Sequence, residues 1–231
     1  MKTVVITGAT SGVGLALCRR FLATGATVVG LARDADKLAA VPAQPVAGRF
    51  LAKAVDVRSA AAVQQAFAAL RDELQQIDLL VNNAAVFKMA PFAAFTLEEI
   101  DNIIDTNLKG TVYCTHQALP LLRPGSRIIN IGSVSGTHGI ENQAVYSASK
   151  FGVDGFAESL GQELSKRGIH ITTVCPGGIA TPLWNATNPY PGDESRLLQA
   201  DDVVDLVEHV ASLPERVVFK KAILFPSNEW H

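Results

Sequence analysis

The stretch Thr3-Val4-Val5-Ile6-Thr7-Gly8-Ala9-Thr10-Ser11-Gly12-Val13-Gly14 joins a short β-branched run to a glycine-rich turn. Residues 3–7 have the composition of a strand, and residues 12–23 have the composition and apolar periodicity of a helix. Three glycines between them suit a tight turn, the close approach of a phosphate group and close helix packing. This order of strand, turn and helix predicts the first unit of a parallel α/β sheet.

The same alternation continues to the end of the chain. We predict strands over 3–7, 27–31, 50–55, 79–82, 127–131, 169–175 and 222–225. We predict helices over 12–23, 60–75, 97–119, 144–166 and 200–212. Alternating β-branched runs and helical patterns are typical of a doubly wound, mainly parallel sheet with helices on both faces. We therefore expect a seven-stranded α/β fold that forms one domain over 1–231, with a long binding loop near 177–198.

Composition and charge exclude several classes of partner. The 231 residues carry a formal net charge of −2 from 20 basic and 22 acidic side chains, without a basic block. We therefore expect a small-molecule partner, with no binding of nucleic acid or membrane. No run approaches 18 uninterrupted apolar residues and no signal peptide is recognised, which predicts a cytoplasmic protein. Cys18, Cys114 and Cys175 lack the spacing of a zinc site or a disulfide scaffold, so we interpret them as core thiols and expect no metal.

A second motif, Tyr146-Ser147-Ala148-Ser149-Lys150, lies near the start of a predicted helix. Its i, i+4 spacing puts the phenol and the ammonium on one helix face. Ser133 precedes the tyrosine by thirteen positions, after an apolar run. A cation beside a phenol lowers a pKa that is ordinarily about 10, which would let the tyrosine exchange a proton near neutral pH. The alternative interpretation is an exposed helix pair without chemical function.

Further motifs stand between and after these two. Asp56-Val57, Asn82-Asn83-Ala84-Ala85, Asn107 and Pro176-Gly177 follow the glycine turn in this order. With Ser133 and Tyr146-x-x-x-Lys150, they make the chain resemble the short-chain dehydrogenase/reductase family over nearly its whole length, in particular its 3-oxoacyl-reductase-like and carbonyl-reductase members. The resemblance implies a Rossmann-type fold and NAD(P)(H)-dependent hydride transfer between nicotinamide and a carbonyl or secondary alcohol. The family commonly has glycine where this chain has Ala85.

The resemblance implies a role for each catalytic candidate. Tyr146 would be the general acid/base, Ser133 would hydrogen-bond the substrate oxygen, and Lys150 would bind the nicotinamide ribose and lower the pKa of Tyr146. Asn107 would complete a water-linked proton path behind Lys150. Alternatives stay open, because Ser133 could cap a strand end, Ser135 could replace it, and Asn107 could only satisfy backbone groups in an interrupted helix.

The cofactor site follows from the same resemblance, which places Asn82 and Ala84 along the adenosine and Asp56 and Val57 against the adenine. The full expected set is Gly8, Thr10, Ser11, Gly12, Val13, Gly14, Arg33, Asp56, Val57, Asn83, Ala84, Ala85, Tyr146, Lys150, Pro176, Gly177, Ile179 and Thr181.

Cofactor preference is predicted from the end of the second strand. Ala32 stands where NAD-preferring members carry an acid, and the guanidinium of Arg33 would attract a 2′-phosphate. Two residues argue for NAD instead: Asp34 lies twenty residues after Gly14, the usual distance of a ribose-binding acid, and Ser11 fills a position that is often basic in NADP users. We favour NADP (NADPH), with NAD as the alternative.

Substrate contacts are expected from Ser133, Val134, His138, Gln143, Tyr146, Leu183 and Trp184, with Phe87, Met89 and Tyr190 nearby. These side chains are mostly apolar and no arginine cluster accompanies them, which favours an uncharged ketone, aldehyde or alcohol. Trp184 and Tyr190 could equally close a lid over the cofactor. We interpret His138 as outside the catalytic set, because a lone loop histidine is more often structural or exposed.

Two other functions compete with this one. A catalytically silent nucleotide-sensing protein of the same fold would be expected to lack Ser133, Tyr146 or Lys150, and all three are present. An epimerase or dehydratase of the related extended architecture would need a larger C-terminal domain. Because family members often pair through the helix that carries the tyrosine, a homodimer or homotetramer is expected, although the small residues of that helix could also pack on the protein's own sheet.

Overall fold

A seven-stranded sheet forms the centre of the protein in the computed structural model, which describes residues 2–42 and 47–227. The strands are β1 Thr3–Thr7, β2 Thr27–Ala32, β3 Arg49–Ala54, β4 Ile77–Asn82, β5 Leu122–Ile131, β6 His170–Pro176 and β7 Lys221–Leu224. They run in the order β3-β2-β1-β4-β5-β6-β7, and every pair is parallel. The predicted Rossmann-type α/β fold is confirmed, and the sheet is wholly rather than mainly parallel. The strand order reverses between β1 and β4, where parallel sheets open a ligand crevice at their carboxyl edge.

The helices are α1 Gly12–Ala23, α2 Ala35–Ala39, α3 Ala60–Glu73, α4 Leu97–Ile104, α5 Gly110–Ala118, α6 Ala144–Ser165 and α7 Ala200–Ser212. The predicted helix over 97–119 is divided, because a π-helical turn at Asp105–Lys109 separates α4 from α5. The sequence analysis did not predict α2. That helix has only five residues and begins where the carboxylate of Asp34 accepts a hydrogen bond from the backbone N–H of Lys37, at 3.0 Å.

Alternate side chains of each central strand face opposite apolar layers. Val4 and Ile6 of β1 pack in a layer with α1 and α7, whereas Val5 packs in a layer with α3, α5 and α6. Cys18 lies in the first layer and Cys114 in the second, both buried and reduced, as expected of core thiols. With both faces covered, binding side chains are left to the loops at the carboxyl edge of the sheet.

The segment after β6 is the longest of these loops. Its base is closed by a bridge between Ile179 and Leu198, in which the backbone N–H of Ala180 donates to the carbonyl oxygen of Leu198 at 2.8 Å. It contains a 3-10 turn at Glu194–Arg196, so it has some regular structure of its own. We call residues 181–197 the lid.

Candidate active site

The turn after β1 has the backbone that its glycines predict. Gly8 and Gly12 have φ angles of 67° and 49°, in the left-handed region that favours glycine. A Cβ atom on Gly14 would stand 2.2 Å from the carbonyl oxygen of Gly8, so α1 can begin this close to the turn only without a side chain there. The N-terminus of α1, with its free N–H groups and its dipole, is thereby available to an anion.

Hydrogen bonds fix this turn against the end of β4. The hydroxyl oxygen of Thr7 accepts from the backbone N–H groups of Asn83 and Ala84, each at 2.9 Å. The side-chain amide of Asn83 donates to the carbonyl oxygens of Thr7 at 2.9 Å and Gly8 at 3.2 Å. The floor of the crevice between β1 and β4 is therefore held rigidly from both strands.

Asn82 has a different position from the one expected. Its side chain is buried and donates to the hydroxyl of Thr115 at 2.9 Å and to the side-chain oxygen of Asn130 at 2.8 Å. The predicted place along the adenosine was wrong for this side chain, because alternation along β4 turns it toward the neighbouring strand and α5.

A cavity of about 500 Å³ runs from the glycine turn to Tyr146 and the lid. The predicted residues that line it are Gly8, Ser11, Gly12, Val13, Asn83, Ala84, Ala85, Ser133, Val134, Gln143, Tyr146, Lys150, Pro176, Gly177, Ile179, Thr181, Leu183 and Trp184. Thr10, Gly14, Arg33, Asp56, Val57, Asn107 and His138 lie outside this lining. Gly178, Pro182, Pro191 and Gly192 of the predicted binding loop also line it. Ile131, Gly132 and Ile140 line it without having been predicted, and their nearness to Ser133 and Gln143 was the one signal that could have found them.

Ser133, Tyr146 and Lys150 meet at one end of this cavity. Tyr146 and Lys150 lie on one face of α6 with 7% and 3% of their surface exposed, and the lysine Nζ is 5.5 Å from the centre of the phenol ring. That Nζ donates to the carbonyl oxygen of Ile131 at 2.8 Å. The hydroxyl of Ser133 is close enough to the phenol to lower its pKa, and it accepts from the backbone N–H of Ser135 at 3.1 Å.

Burial sets the protonation of this group. It raises the pKa of Tyr146 to about 12, and the neighbouring hydroxyl of Ser133 opposes that rise only in part. The expectation that Lys150 lowers this pKa was wrong for this structure, because the ammonium is directed at the Ile131 carbonyl and desolvation of the phenolate dominates. Burial also lowers the pKa of Lys150 to about 8. At neutral pH the phenol carries its proton and the lysine is mostly charged.

The π-helical turn presents Asn107 to two neighbours. Its side-chain oxygen accepts from the backbone N–H of Val86 at 2.8 Å, and its nitrogen donates to the Val86 carbonyl at 2.9 Å and to the Ser149 hydroxyl at 3.1 Å. Ser149 in turn donates to the carbonyl oxygen of Tyr146 at 2.7 Å. These contacts agree with the structural alternative for Asn107, and they connect the segment after β4 to the helix that carries the tyrosine.

Ser135, the competitor of Ser133, is held by another side chain. Its hydroxyl donates to the side-chain oxygen of Gln143 at 2.7 Å, and both residues are buried. Ser133, whose hydroxyl acts on the pKa of the phenol, is therefore better placed to act with Tyr146.

Aromatic rings connect Tyr146 to the lid. Phe87 lies 4.7 Å from Tyr146 and 4.9 Å from Trp184 between ring centres, and Trp184 lies 5.0 Å from Tyr190, all edge to face. At the other end of the cavity, a Cβ atom on Gly12 would stand 3.1 Å from the methyl group of Thr181. The lid therefore covers the cavity from the glycine turn to the phenol.

The charged residues after β2 and β3 lie beyond the cavity lining. Asp34 caps α2, while Arg33 beside it is exposed. Asp56 accepts from the guanidinium of Arg58 at 2.6 Å, and its pKa is lowered chiefly by Arg58, with a smaller contribution from Arg33. Val57 is buried in the apolar layer of α3 and α5.

The described residues lack both a cluster of metal-binding side chains and a membrane-spanning helix. They contain no group of three or more His, Cys, Asp or Glu side chains arranged to hold a metal ion. Within the same residues, every helix is too short or too polar to cross a membrane.

Comparison with known proteins gives consistent relatives. The family model described as short chain dehydrogenase matches residues 2–191. Serine 3-dehydrogenase of Agrobacterium fabrum is 32% identical, covering 98% of this chain and 94% of that protein. The 3-oxoacyl-[acyl-carrier-protein] reductase of Synechocystis sp. is 35% identical, covering 92% and 90%. A solved closed form of serine dehydrogenase complexed with NADP+ is 30% identical with a TM-score of 0.88, covering 99% of this chain and 96% of that one.

Proposed function

Since this chain belongs to the short-chain dehydrogenase/reductase family, whose NAD(P)-dependent oxidoreductases act on small molecules, we propose that it transfers a hydride between nicotinamide and a carbonyl or secondary alcohol. The observation that carries the proposal is the meeting of Ser133, Tyr146 and Lys150 at one end of a cavity whose other end is the glycine turn. A phenol, a hydroxyl and an ammonium in this arrangement can position a carbonyl oxygen and protonate it.

The residues of the cavity fit a dinucleotide. The left-handed backbone of Gly12 and the missing side chain at Gly14 leave the N-terminus of α1 open to a pyrophosphate. At the other end, Lys150 and the lid residue Thr181 would hold the nicotinamide half. When bound, the nicotinamide supplies or accepts the hydride.

The protein's own residues handle the proton. With a pKa near 12, Tyr146 is a proton donor at neutral pH, and the Ser133 hydroxyl can donate to the same substrate oxygen. A neutral phenol is ready to protonate a carbonyl but must first lose its proton to oxidise an alcohol. In carbonyl reduction at neutral pH, Tyr146 would therefore act as the proton donor. We assign Asn107 a positioning role through Ser149, and retain it as the proposed far end of the proton path behind Lys150.

The substitution Tyr146→Phe tests this function. It removes the proton donor and keeps the ring, so turnover with a carbonyl substrate should fall by at least about two orders of magnitude while cofactor binding is retained. Tyr113→Phe, on α5 outside the cavity lining, is the matched control and should stay active. A Tyr146→Phe variant that keeps nearly full turnover would refute the assignment.

We further propose that the cofactor is NADP. Three features support this: Asp34 is already engaged as a helix cap, Ala32 provides no acid, and the exposed guanidinium of Arg33 stands at the carboxyl end of β2. An arginine there attracts a 2′-phosphate, as in other charge-assisted pairs.

Arg33→Ala should lower kcat/KM for NADPH by about ten- to a hundredfold, the usual worth of one charge-assisted hydrogen bond, with little change for NADH. Arg49→Ala is the matched control, because Arg49 lies at the amino end of β3, away from the carboxyl edge that carries Arg33. An unchanged NADPH to NADH ratio in Arg33→Ala would contradict the proposed role of this residue.

A further inference from the structure

We propose that the substrate is an uncharged carbonyl compound bearing a ring or similarly bulky apolar group, which packs against Phe87 and Trp184. The inference rests on the proposed function and adds the substrate class. The carbonyl carbon accepts a hydride from NAD(P)H while its oxygen takes the Tyr146 proton. The products are a secondary alcohol and NAD(P)+.

The charge of the cavity lining restricts the substrate. Among the described residues that line it, Lys150 alone has an ionised side chain, and its Nζ is hydrogen-bonded to the Ile131 carbonyl. A substrate carboxylate would therefore be desolvated without a second cation to pair with, and a substrate ammonium would meet no carboxylate in that lining. This arrangement opposes amino acids such as serine, although two of the relatives are named for serine.

The aromatic rings of the cavity favour an apolar group on the substrate. Tyr146, Phe87, Trp184 and Tyr190 form a continuous series with interplanar angles of 75°, 76° and 70°, which begins at the ring of the proton donor. Phe87 comes from the segment after β4 and Trp184 from the lid, and their rings are in contact, so a group packed against this pair touches both sides of the cleft. Rings bind rings well in edge-to-face geometry, and apolar surface adds to the gain. The substituent next to the carbonyl should accordingly be apolar and preferably cyclic.

The remaining polar groups of this region are neutral. Ser133, Ser135 and Gln143 carry hydroxyl and amide groups, and the last two hydrogen-bond each other at 2.7 Å. Such groups can bond a ketone or ester oxygen, but they cannot balance a full charge. An aryl ketone, with or without a neutral ester group, matches both the aromatic rings and the neutral polar groups of this region.

A matched series of ketones tests the inference with the complete enzyme and NADPH. We expect kcat/KM for methyl 4-acetylbenzoate to exceed that for 4-acetylbenzoate by about a hundredfold, because the two differ in charge and by one methyl group that is itself worth only about fourfold. Acetophenone should exceed butan-2-one by about tenfold or more. L-Serine with NADP+ should give only a background rate of NADPH formation.

The outcomes separate the two proposals. If 4-acetylbenzoate or butan-2-one is the better substrate of its pair, or if serine is oxidised, the substrate class is wrong while the oxidoreductase function stands. If NADPH binds and no carbonyl is reduced, the proposed function fails and this inference fails with it.

Three variants separate ring contacts from charge. Trp184→Ala should lower kcat/KM for acetophenone by about tenfold with less change for butan-2-one, whereas Phe92→Ala, 63% exposed and outside the lining, should change neither. Ile140 is a half-buried residue of the cavity lining, so Ile140→Arg adds a cation there. The ratio of kcat/KM for the methyl ester to kcat/KM for the carboxylate should fall by about tenfold. An unchanged ratio in Ile140→Arg, with the variant folded and active, would overturn the charge argument.

Binding can also be followed without turnover. Trp184 is one of two tryptophans in the chain, so a Trp230→Phe background isolates its fluorescence. Acetophenone should quench that signal saturably, and 4-acetylbenzoate at the same concentrations should not. Equal quenching by both ketones would contradict the proposed selection by charge.

Discussion

Tyr146 derives its chemical character from where it is buried. A phenolate at this position would lose hydration, and the hydroxyl of Ser133 replaces only part of what water provides. Lys150 is close in space, yet its Nζ bonds the Ile131 carbonyl and lies 5.5 Å from the ring centre. The balance of these effects keeps the phenol protonated over the pH range in which most enzymes work.

This balance can be measured by spectrophotometric titration. In the protein without added nucleotide, the difference in 295-nm absorbance between wild type and Tyr146→Phe should appear only at high pH, with a midpoint near 12. A stopped-flow pH jump allows the measurement before the protein unfolds. A midpoint below 10 would mean that the ammonium of Lys150, and not burial, governs the phenol.

At the residue scale, sequence order predicted which side chains meet but not how each is ionised. The spacing of Ser133, Tyr146 and Lys150 was enough to place them together at the cavity. The direction of the tyrosine pKa was not predictable, because it depends on desolvation by segments distant in the chain, including Phe87. Arg33 and Asp56 likewise lie outside the cavity lining, a position that spacing alone does not reveal.

Among the elements, periodicity located helices well and their interruptions poorly. Residues 97–119 have helical composition throughout, and a π-helical turn inserts one extra residue per turn without breaking that pattern. The turn at Asp105–Lys109 nevertheless directs Asn107 toward Val86 and Ser149. The start of α4 is marked more clearly in the sequence, because Thr96 and Glu99 have the spacing of a capping box and form one.

The lid depends on a contact that sequence reasoning missed. Asn188 is 5% exposed, and its side-chain oxygen accepts from the backbone N–H of Met89 at 3.0 Å, while its nitrogen donates to the carbonyl oxygen of Leu183 at 3.2 Å. These bonds connect the lid to the segment that carries Phe87. An asparagine in a loop gives no signal of such a distant partner, so its role became evident only from the fold.

Asn188→Ala should therefore loosen the lid. The substitution leaves the Met89 N–H without its partner, at a local cost of about 1–3 kcal/mol. We expect cleavage within residues 181–197 under limited proteolysis to accelerate several-fold and KM for the carbonyl substrate to rise. Thr187→Ala, exposed in the same turn, should behave as wild type. Equal cleavage rates for the two variants would show that the bond to Met89 does not hold the lid.

At the scale of the whole molecule, the sheet with its two apolar layers determines where ionisable groups are buried. Seven strands were predictable because central strands covered on both faces read as short apolar runs. The layer that a helical side chain enters depends on which face of the sheet its helix covers, which composition alone does not give. Because α1 and α5 cover opposite faces, Cys18 and Cys114 lie in opposite layers, and burial raises the pKa of each thiol from 9.0 to about 12.

Stability should therefore pass through a maximum near pH 9. The pKa of Lys150 is lowered from 10.5 to about 8, so between these values the unfolded chain binds more protons and stability rises with pH. The raised pKa values of the two thiols act oppositely, and the stability they contribute is lost as pH rises from 9.0 through about 12. Burial also raises the pKa of Cys175, so above pH 9 three thiols lower stability against one group, Lys150, that raises it. Tyr146 adds to the loss above 10.0.

Urea midpoints followed by circular dichroism from pH 7 to 11 measure this profile. Lys150→Met should abolish the rise between pH 8 and 9, whereas Lys37→Met, with its side chain 70% exposed, should preserve it. The double substitution of Cys18 and Cys114 by alanine lowers stability at every pH because it leaves cavities, but it should flatten the fall above pH 9. If Lys150→Met keeps the rise, or the double variant keeps the fall, the buried groups named here do not set the pH dependence of folding.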